Sequence, residues 1–436
     1  MFYEMTKEKE THPTWSKTGY GIQAKRISDG TPVNIPVDRI NVLTVGTSGY
    51  GKTVFTKKYV RELFRLNREM YAVFFQIKPD DFTEEFLRPQ DKVITYSEQI
   101  CSTENLFKWN LVKEIRSCKR SEWDSELEEL STILFSDVLL DSKNRIWADA
   151  AKTTFKAFIK VILYQYSNNP SNKKVISAMK TMNRKEMLKF LAEYEPNRSM
   201  LKDNFEFELS NYKNYVMPKK GSDIFFFLQN VLEKFGGSFM ADDGEDTVYD
   251  YLHGCYGERL FIVHDHKKRN SSKLFERYFL KYIGDEVLSQ ASGFSGEMVW
   301  VLDEIDKIEY DFGLTTAVTL GRQFGLQILV STQSLESLYA VAPEMYGEHL
   351  TKASLSGFAM TVAFHPGDPH TIETLQNLYG KCTKQTITMP ISRYDKPTVM
   401  TEQRPIVEDS DFASLDVGEC YIKIRSAKPE KVKILI

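Results

Sequence analysis

The sequence predicts an α/β fold: a mostly parallel sheet with flanking helices, interrupted by an inserted all-α domain and preceded by a small β-hairpin. Three observations predict it. Residues 41–53, NVLTVGTSGYGKT, run a short apolar strand into a glycine-rich turn and then a helical pattern. The runs YAVFFQI (71–77), MVWVL (298–302) and LQILVST (326–332) are continuously apolar, as strands buried on both faces are. From 121 to about 254 almost every apolar run has helical spacing instead.

Composition sets the bounds. The chain has 436 residues, 42% hydrophobic and 27% charged, which suits two or three domains of a globular protein. A net charge of −3 supplies no global basic field, so any contact with nucleic acid depends on a local patch. Five scattered cysteines without a C-x-x-C pair argue against a zinc site or disulfide scaffold and fit a reducing compartment. The polar start MFYEMTKEKETHPTWSK is unlike a signal peptide. No apolar run reaches the roughly 18 residues of a transmembrane helix.

In chain order, residues 19–36 place Asp29-Gly30 as a turn between two short β-like runs. This hairpin reads either as an edge structure or as a carrier for Tyr20, stacked near an adenine with Ile22 beside it. Residues 54–68 form a basic amphipathic helix with Lys57, Lys58, Arg61, Arg65 and Arg68. YAVFFQI is the next strand and KVITY (92–96) a weaker third; strand, helix and strand at these lengths imply right-handed parallel connections. Lys78-Pro79-Asp80 follows the second strand, on the edge where ligands bind.

Helical segments are expected at SEWDSELEELSTILFSDVLL, IWADAAKTTFKAFIKVILYQY, VISAMKTM, RKEMLKFLAEY and FFFLQNVLEKF. Lys173, Lys174, Lys213, Lys219 and Lys220 read as either solvated surface or a basic face. RLFIVH (259–264) returns to strand character, 274–288 is a helix, and 315–324 is a helix stopped by Gly325. After 335 short strands alternate with turns, MTVAF (360–364) and YIKIR (421–425) foremost. The divisions are therefore 1–36 for the N-terminal segment and hairpin, 37–120 and 255–436 for the core, and 121–254 for the insertion.

The chemistry concentrates in two places. The first is Gly46, Thr47, Ser48, Gly49, Tyr50, Gly51, Lys52 and Thr53, a G-x-x-x-x-G-K-T loop between strand and helix. The glycines let the backbone curl so that N–H groups converge on a phosphate, and the helix N-terminus adds its field. Lys52 places a charge on the outer phosphates, and the Thr53 hydroxyl is a ligand for Mg²⁺. The second is Asp303-Glu304, an acidic pair ending the apolar strand MVWVL. In a phosphate-loop ATPase such a pair serves Mg²⁺ (Asp303) and the attacking water (Glu304). Some 250 residues separate Lys52 from the pair, and the helical insertion accounts for that excess. Gln333, after the next strand, either caps it or senses the γ-phosphate. Arg322 is either a surface arginine or one that reaches a neighbouring subunit's nucleotide or DNA.

GTPVNIPVDRINVLTVGTSGYGKTVF, VWVLDEID and LGRQFGLQILVSTQS together resemble the HerA–FtsK superfamily of hexameric DNA-pumping ATPases. The insertion, FKWNLV (107–112), IWADAAKTTFKAFI (146–159) and QRPIVEDSDFASLDVGECYIKIRSAKP narrow the resemblance to the type IV secretion coupling proteins of conjugation. It spans residues 19–436. It implies a RecA-like core binding ATP and Mg²⁺, and Glu304, Lys52, Gln333 and Arg322 in catalysis. It also implies a ring of six on DNA, held by sequence-independent phosphate contacts, with the insertion facing a relaxase or other secretion-system proteins. Three features depart from the family: no membrane-spanning helices, Gln76 at the end of the second strand where an acid is usual, and Tyr50 where serine or threonine is more common. The expected location is therefore the cytoplasm, or the inner face of the membrane through a separate anchoring partner. The alternatives are a viral genome-packaging or other DNA-processing ATPase, and a nucleotide-gated adaptor that recruits a relaxase.

Overall fold

The computed structural model describes residues 15–16, 21–95, 100–139, 145–194, 196, 226–233, 244–254, 257–265, 269–289, 294–308, 312–335, 355–388 and 398–435. Tyr20, Lys213, Lys219 and Lys220 lie outside them. In chain order the strands are β1 (Ile22–Arg26), β2 (Pro32–Ile35), β3 (Val42–Gly46), β4 (Tyr71–Gln76), β5 (Lys92–Ile94), β6 (Arg259–Val263), β7 (Met298–Leu302), β8 (Leu326–Thr332), β9 (Met360–Phe364), β10 (Lys381–Thr388), β11 (Thr398–Pro405), β12 (Glu419–Ile424) and β13 (Glu430–Ile434). The chain forms two compact units. One takes Met1–Ile77, Glu84–Phe86 and Ser295–Ile436; the other takes Lys78–Thr83 and Leu87–Phe294.

In the first unit the strand order is β2-β1-β13-β12-β9-β3-β8-β7-β4. The centre is parallel: β3 pairs with β8 and β9, β7 with β8, and β4 with β7. Every residue of β3, β4, β7, β8 and β9 is buried, which explains their unbroken apolar runs. Because these strands run the same way, Gly46, Gln76, Leu302, Thr332 and Phe364 all end on one edge. Gln76 is fully buried there.

Helix α1 (Lys52–Leu66) follows the glycine loop and buries Phe55, Tyr59, Val60 and Leu63. These positions recur at helical spacing and leave Arg61 and Arg65 outward, paired with Glu85 and Glu62. The expected helix over 315–324 is instead an α-helix, Leu314–Leu320, followed by a 3-10 turn, Gly321–Phe324. Gly325 closes it at φ 79°, a conformation glycine adopts without cost.

The remaining strands are antiparallel. The β1–β2 hairpin turns at Asp29, whose carboxylate accepts from Thr31 N at 2.9 Å. The hairpin continues the sheet through β13, with Arg26 Nε bonded to Glu430 at 2.9 Å. The sequence held no clear sign of β13, nor of the two-stranded ribbon β10–β11. Its polar strands, KCTKQTIT and TVMTEQRP, lack a period-2 apolar pattern.

The second unit holds the parallel pair β5–β6 and most of the helices. These are Leu111–Ser117, Trp123–Leu139, Arg145–Gln165, Asn172–Thr181, Arg184–Leu191, 226–233, Val248–His253 and Arg269–Leu288. FKWNLV is a structural knot within it. Trp109 is fully buried, 4.8 Å from the Tyr278 ring, and Phe107 meets Phe279 edge-on at 5.4 Å. Asn110 caps the helix Leu111–Ser117, and Asn172 accepts from Leu111 N at 2.9 Å while donating to Trp109 O at 2.8 Å. Lys173 and Lys174 are exposed. No helix among the described residues is long and apolar enough to cross a membrane.

Candidate nucleotide site

The glycine loop joins the end of β3 to α1, on the carboxyl edge of the sheet. Gly46 has φ 149°, and a Cβ there would lie 1.5 Å from the Phe364 carbonyl oxygen. Only a hydrogen fits, because β9 closes against the loop at this point. Gly49 (φ 87°) and Gly51 (φ 116°) also take conformations other residues avoid, and Gly51 leads into the first turn of α1. Ser48 and Gly49 are exposed at the tip. Lys52 is 6% exposed, and its ammonium arches back over the loop and donates to Gly46 O at 2.6 Å. Thr53 is half-buried beside it.

The acidic pair stands on the same edge. β8 lies between β3 and β7, so Asp303, just past β7, is two strand spacings from the loop, about 10 Å. Asp303 is buried and accepts a hydrogen bond from Ser331 Oγ on β8. The same Ser331 oxygen accepts from Glu304 N at 3.2 Å. Glu304 has φ 50°, unusual for a residue with a side chain and often tied to function. Gln333 Nε2 donates to Glu304 Oε1 at 3.0 Å. Lys52, Thr53, Asp303, Glu304 and Gln333 therefore share one edge of one sheet.

Arg322 does not join them. It is exposed on the turn before β8, at the opposite end of that strand, about 20 Å from Gln333 by strand rise. Within one chain it cannot reach the glycine loop.

The residues fit a magnesium nucleotide. Among the described residues no cluster of His, Cys, Asp or Glu is placed to hold a metal unaided. Mg²⁺ needs none, since it usually keeps several waters and takes only one or two protein groups and phosphate oxygens for the rest of its shell.

Two partners were not singled out from sequence. Ser331 orients both acids; its signal was a hydroxyl pair, Ser331-Thr332, closing an otherwise apolar strand. His365 follows β9, and its carbonyl accepts from both Thr47 N (3.1 Å) and Thr47 Oγ1 (2.8 Å). Nothing local in HPGDPH points to that contact, which depends on β9 lying beside β3.

A glycine loop and an acidic strand end on the carboxyl edge of a mostly parallel sheet define a RecA-like phosphate-loop fold. The chain belongs to the family of type IV secretion-system coupling proteins: the model of their DNA-binding domain matches residues 26–435. Among solved structures it is similar to the bacterial conjugative coupling protein TrwBΔN70 in an unbound form, at 16% identity and TM-score 0.69, over 95% of this chain and 89% of that one. The plasmid coupling protein TrwB in complex with ADP and Mg²⁺ is similar at 17% identity and TM-score 0.66, over 93% and 87%. VirB4 of Thermoanaerobacter pseudethanolicus is similar at 12% identity and TM-score 0.55, over 96% and 98%. No curated protein matches the chain.

Proposed function

We propose that this chain is the ATP-driven motor of a conjugative or type IV secretion system, moving DNA or nucleoprotein as a ring of six. The observation that carries the reading is the convergence of Lys52, Thr53, Asp303, Glu304 and Gln333 on one sheet edge. TrwB, a member of the same class, binds ADP and Mg²⁺, and family membership favours conjugative transfer over genome packaging.

The geometry supports the following roles. The N–H groups of Ser48 to Thr53 and the ammonium of Lys52 hold the phosphates; Lys52 exchanges the Gly46 carbonyl for a phosphate oxygen. Thr53 and Asp303 would hold Mg²⁺, and the ion would supply positive charge against the phosphates. Glu304 aligns the attacking water, and Ser331 fixes the backbone from which it projects. Gln333, bonded to Glu304, is placed to register the γ-phosphate and pass its loss to β8. Arg322 acts on another subunit's nucleotide or on DNA, because its own site is at the far end of the strand. The second unit meets the relaxase or other secretion proteins.

The test is steady-state ATP hydrolysis with and without DNA. DNA should raise turnover. Lys52→Ala should lose nucleotide binding. Glu304→Gln should bind ATP yet turn over at least about 100-fold more slowly, the scale of a lost general base. Normal turnover in Glu304→Gln removes its assigned role. Slow turnover indifferent to DNA favours the nucleotide-gated adaptor instead.

A further inference from the structure

Tyr50 occupies a phosphate-loop position where a small hydroxyl residue is usual, and the structure gives it a partner. Its ring stacks on His365, with centroids 4.3 Å apart and planes 17° from parallel. Its carbonyl accepts from Gly418 N at 3.0 Å. Three residues earlier, Thr47 donates twice to the His365 carbonyl, through N at 3.1 Å and Oγ1 at 2.8 Å. The loop is thus gripped on both flanks of its exposed tip, Ser48-Gly49, by one residue of the β9 strand end.

We infer that the Tyr50–His365 stack is a clamp that holds the phosphate loop in its nucleotide-binding shape, with His365 as a positioning residue. The inference rests on the reading of Gly46–Thr53 as the ATP site.

Two physical arguments carry it. Gly46, Gly49 and Gly51 give the loop its curl but also unusual freedom, and a nucleotide that must order the loop binds more weakly. Fixing the loop beforehand removes that cost. Second, His365 is held at a cost to itself. It has φ 34° without being glycine, and its Nδ1 is buried with no hydrogen-bond partner. Strain and an unpaired buried nitrogen persist where the surroundings over-determine a residue, and such places cluster at functional sites. The tie continues beyond the loop. Asp368 caps the next helix, Pro369–Tyr379, through Thr371 N at 2.7 Å, and Thr371 Oγ1 accepts from Leu335 N at 2.8 Å, two residues past Gln333. The segment 365–371 therefore links the phosphate loop to the strand end that carries Gln333.

The experiment compares ATP affinity, KM and kcat for the full chain and for His365→Ala, His365→Phe, Tyr50→Ala, Tyr50→Phe and the double alanine variant. Both single alanine variants should weaken ATP binding about 3- to 10-fold, the range for an aromatic pair, with KM rising alike and kcat within about twofold. The phenylalanine variants keep a stacking face and should bind as the parent does. The double variant should be no weaker than the worse single one, because each removes the same contact. Parent-like affinity in His365→Ala, failure of His365→Phe to restore it, or losses that multiply in the double variant would each overturn the clamp. A parent chain that binds no ATP overturns the underlying site, an outcome distinct from all of these.

Discussion

Gly46 and Gly49 belong to the same motif yet stand in different surroundings. A methyl at Gly46 runs into the Phe364 carbonyl, whereas a methyl at Gly49 meets no atom within 4 Å. Gly46→Ala should therefore cost on the order of 3 kcal/mol or more, through a forced backbone shift between β3 and β9. Gly49→Ala carries only the left-handed backbone penalty of about 1–2 kcal/mol. Thermal melting with an ATP-binding assay checks this: Gly46→Ala should melt several degrees lower and lose ATP binding, and Gly49→Ala should melt only slightly below the parent. Equal melting of the two would show that β9 does not press on the loop. The identity of the loop residues was legible because their spacing is dictated by the phosphate they cradle. The different demands on its glycines were not, since Phe364 is more than 300 residues away.

The helices of the second unit carry an unusual electrostatic arrangement. Glu114 is fully buried and accepts from Trp109 Nε1 at 2.8 Å, Val248 N at 2.6 Å and Tyr249 N at 2.9 Å. Burial pushes its carboxyl up to about 7 even though those donors pull the other way. Glu129 on Trp123–Leu139 and Glu286 on Arg269–Leu288 are also pushed up to about 7, by burial first and by neighbouring carboxylates. Glu126 is raised by burial, with Tyr282 Oη donating to it at 3.0 Å. Asp285, Lys281, Glu122, Cys118 and the buried Tyr278 complete the surroundings. The sign follows from linkage. The native unit keeps the protons of Glu114, Glu129 and Glu286 until about pH 7, while the unfolded chain releases them near 4.5, so stability falls as pH rises between the two. The melting temperature should drop from pH 5 to 7.5, and Glu129→Gln or Glu286→Gln should flatten the profile. A melting temperature that rises over this range would refute the assignment. Helix positions here were readable from apolar spacing, but the acids look like ordinary helix surface until three helices close around them.

On the proposed motor reading, DNA binding has to work against a net charge of −3. Attraction then comes from local cationic patches on phosphates, and it should weaken steeply between about 50 and 200 mM salt. DNA-stimulated hydrolysis should disappear over that range while basal hydrolysis persists, and light scattering at low salt should show a six-fold assembly on DNA. Stimulation that survives high salt would point to contacts other than phosphates. The sheet also makes a claim about architecture. β13 pairs with both β1 and β12, so removing residues 429–436 should detach the N-terminal hairpin and expose it to protease.

The sequence by itself determined the buried parallel strands and the run of helices between them, and it carries the phosphate-loop motif and the acidic pair, because each is written in a local pattern: unbroken apolar strands, 3.6-residue spacing, or fixed glycine and lysine offsets. Tertiary structure alone decided which strands are neighbours. That placement bonds Gln333 to Glu304 and Ser331 to both acids, brings His365 under Tyr50, and sends Arg322 to the far end of β8. Strand order depends on contacts between residues hundreds of positions apart, and no short-range periodicity encodes them.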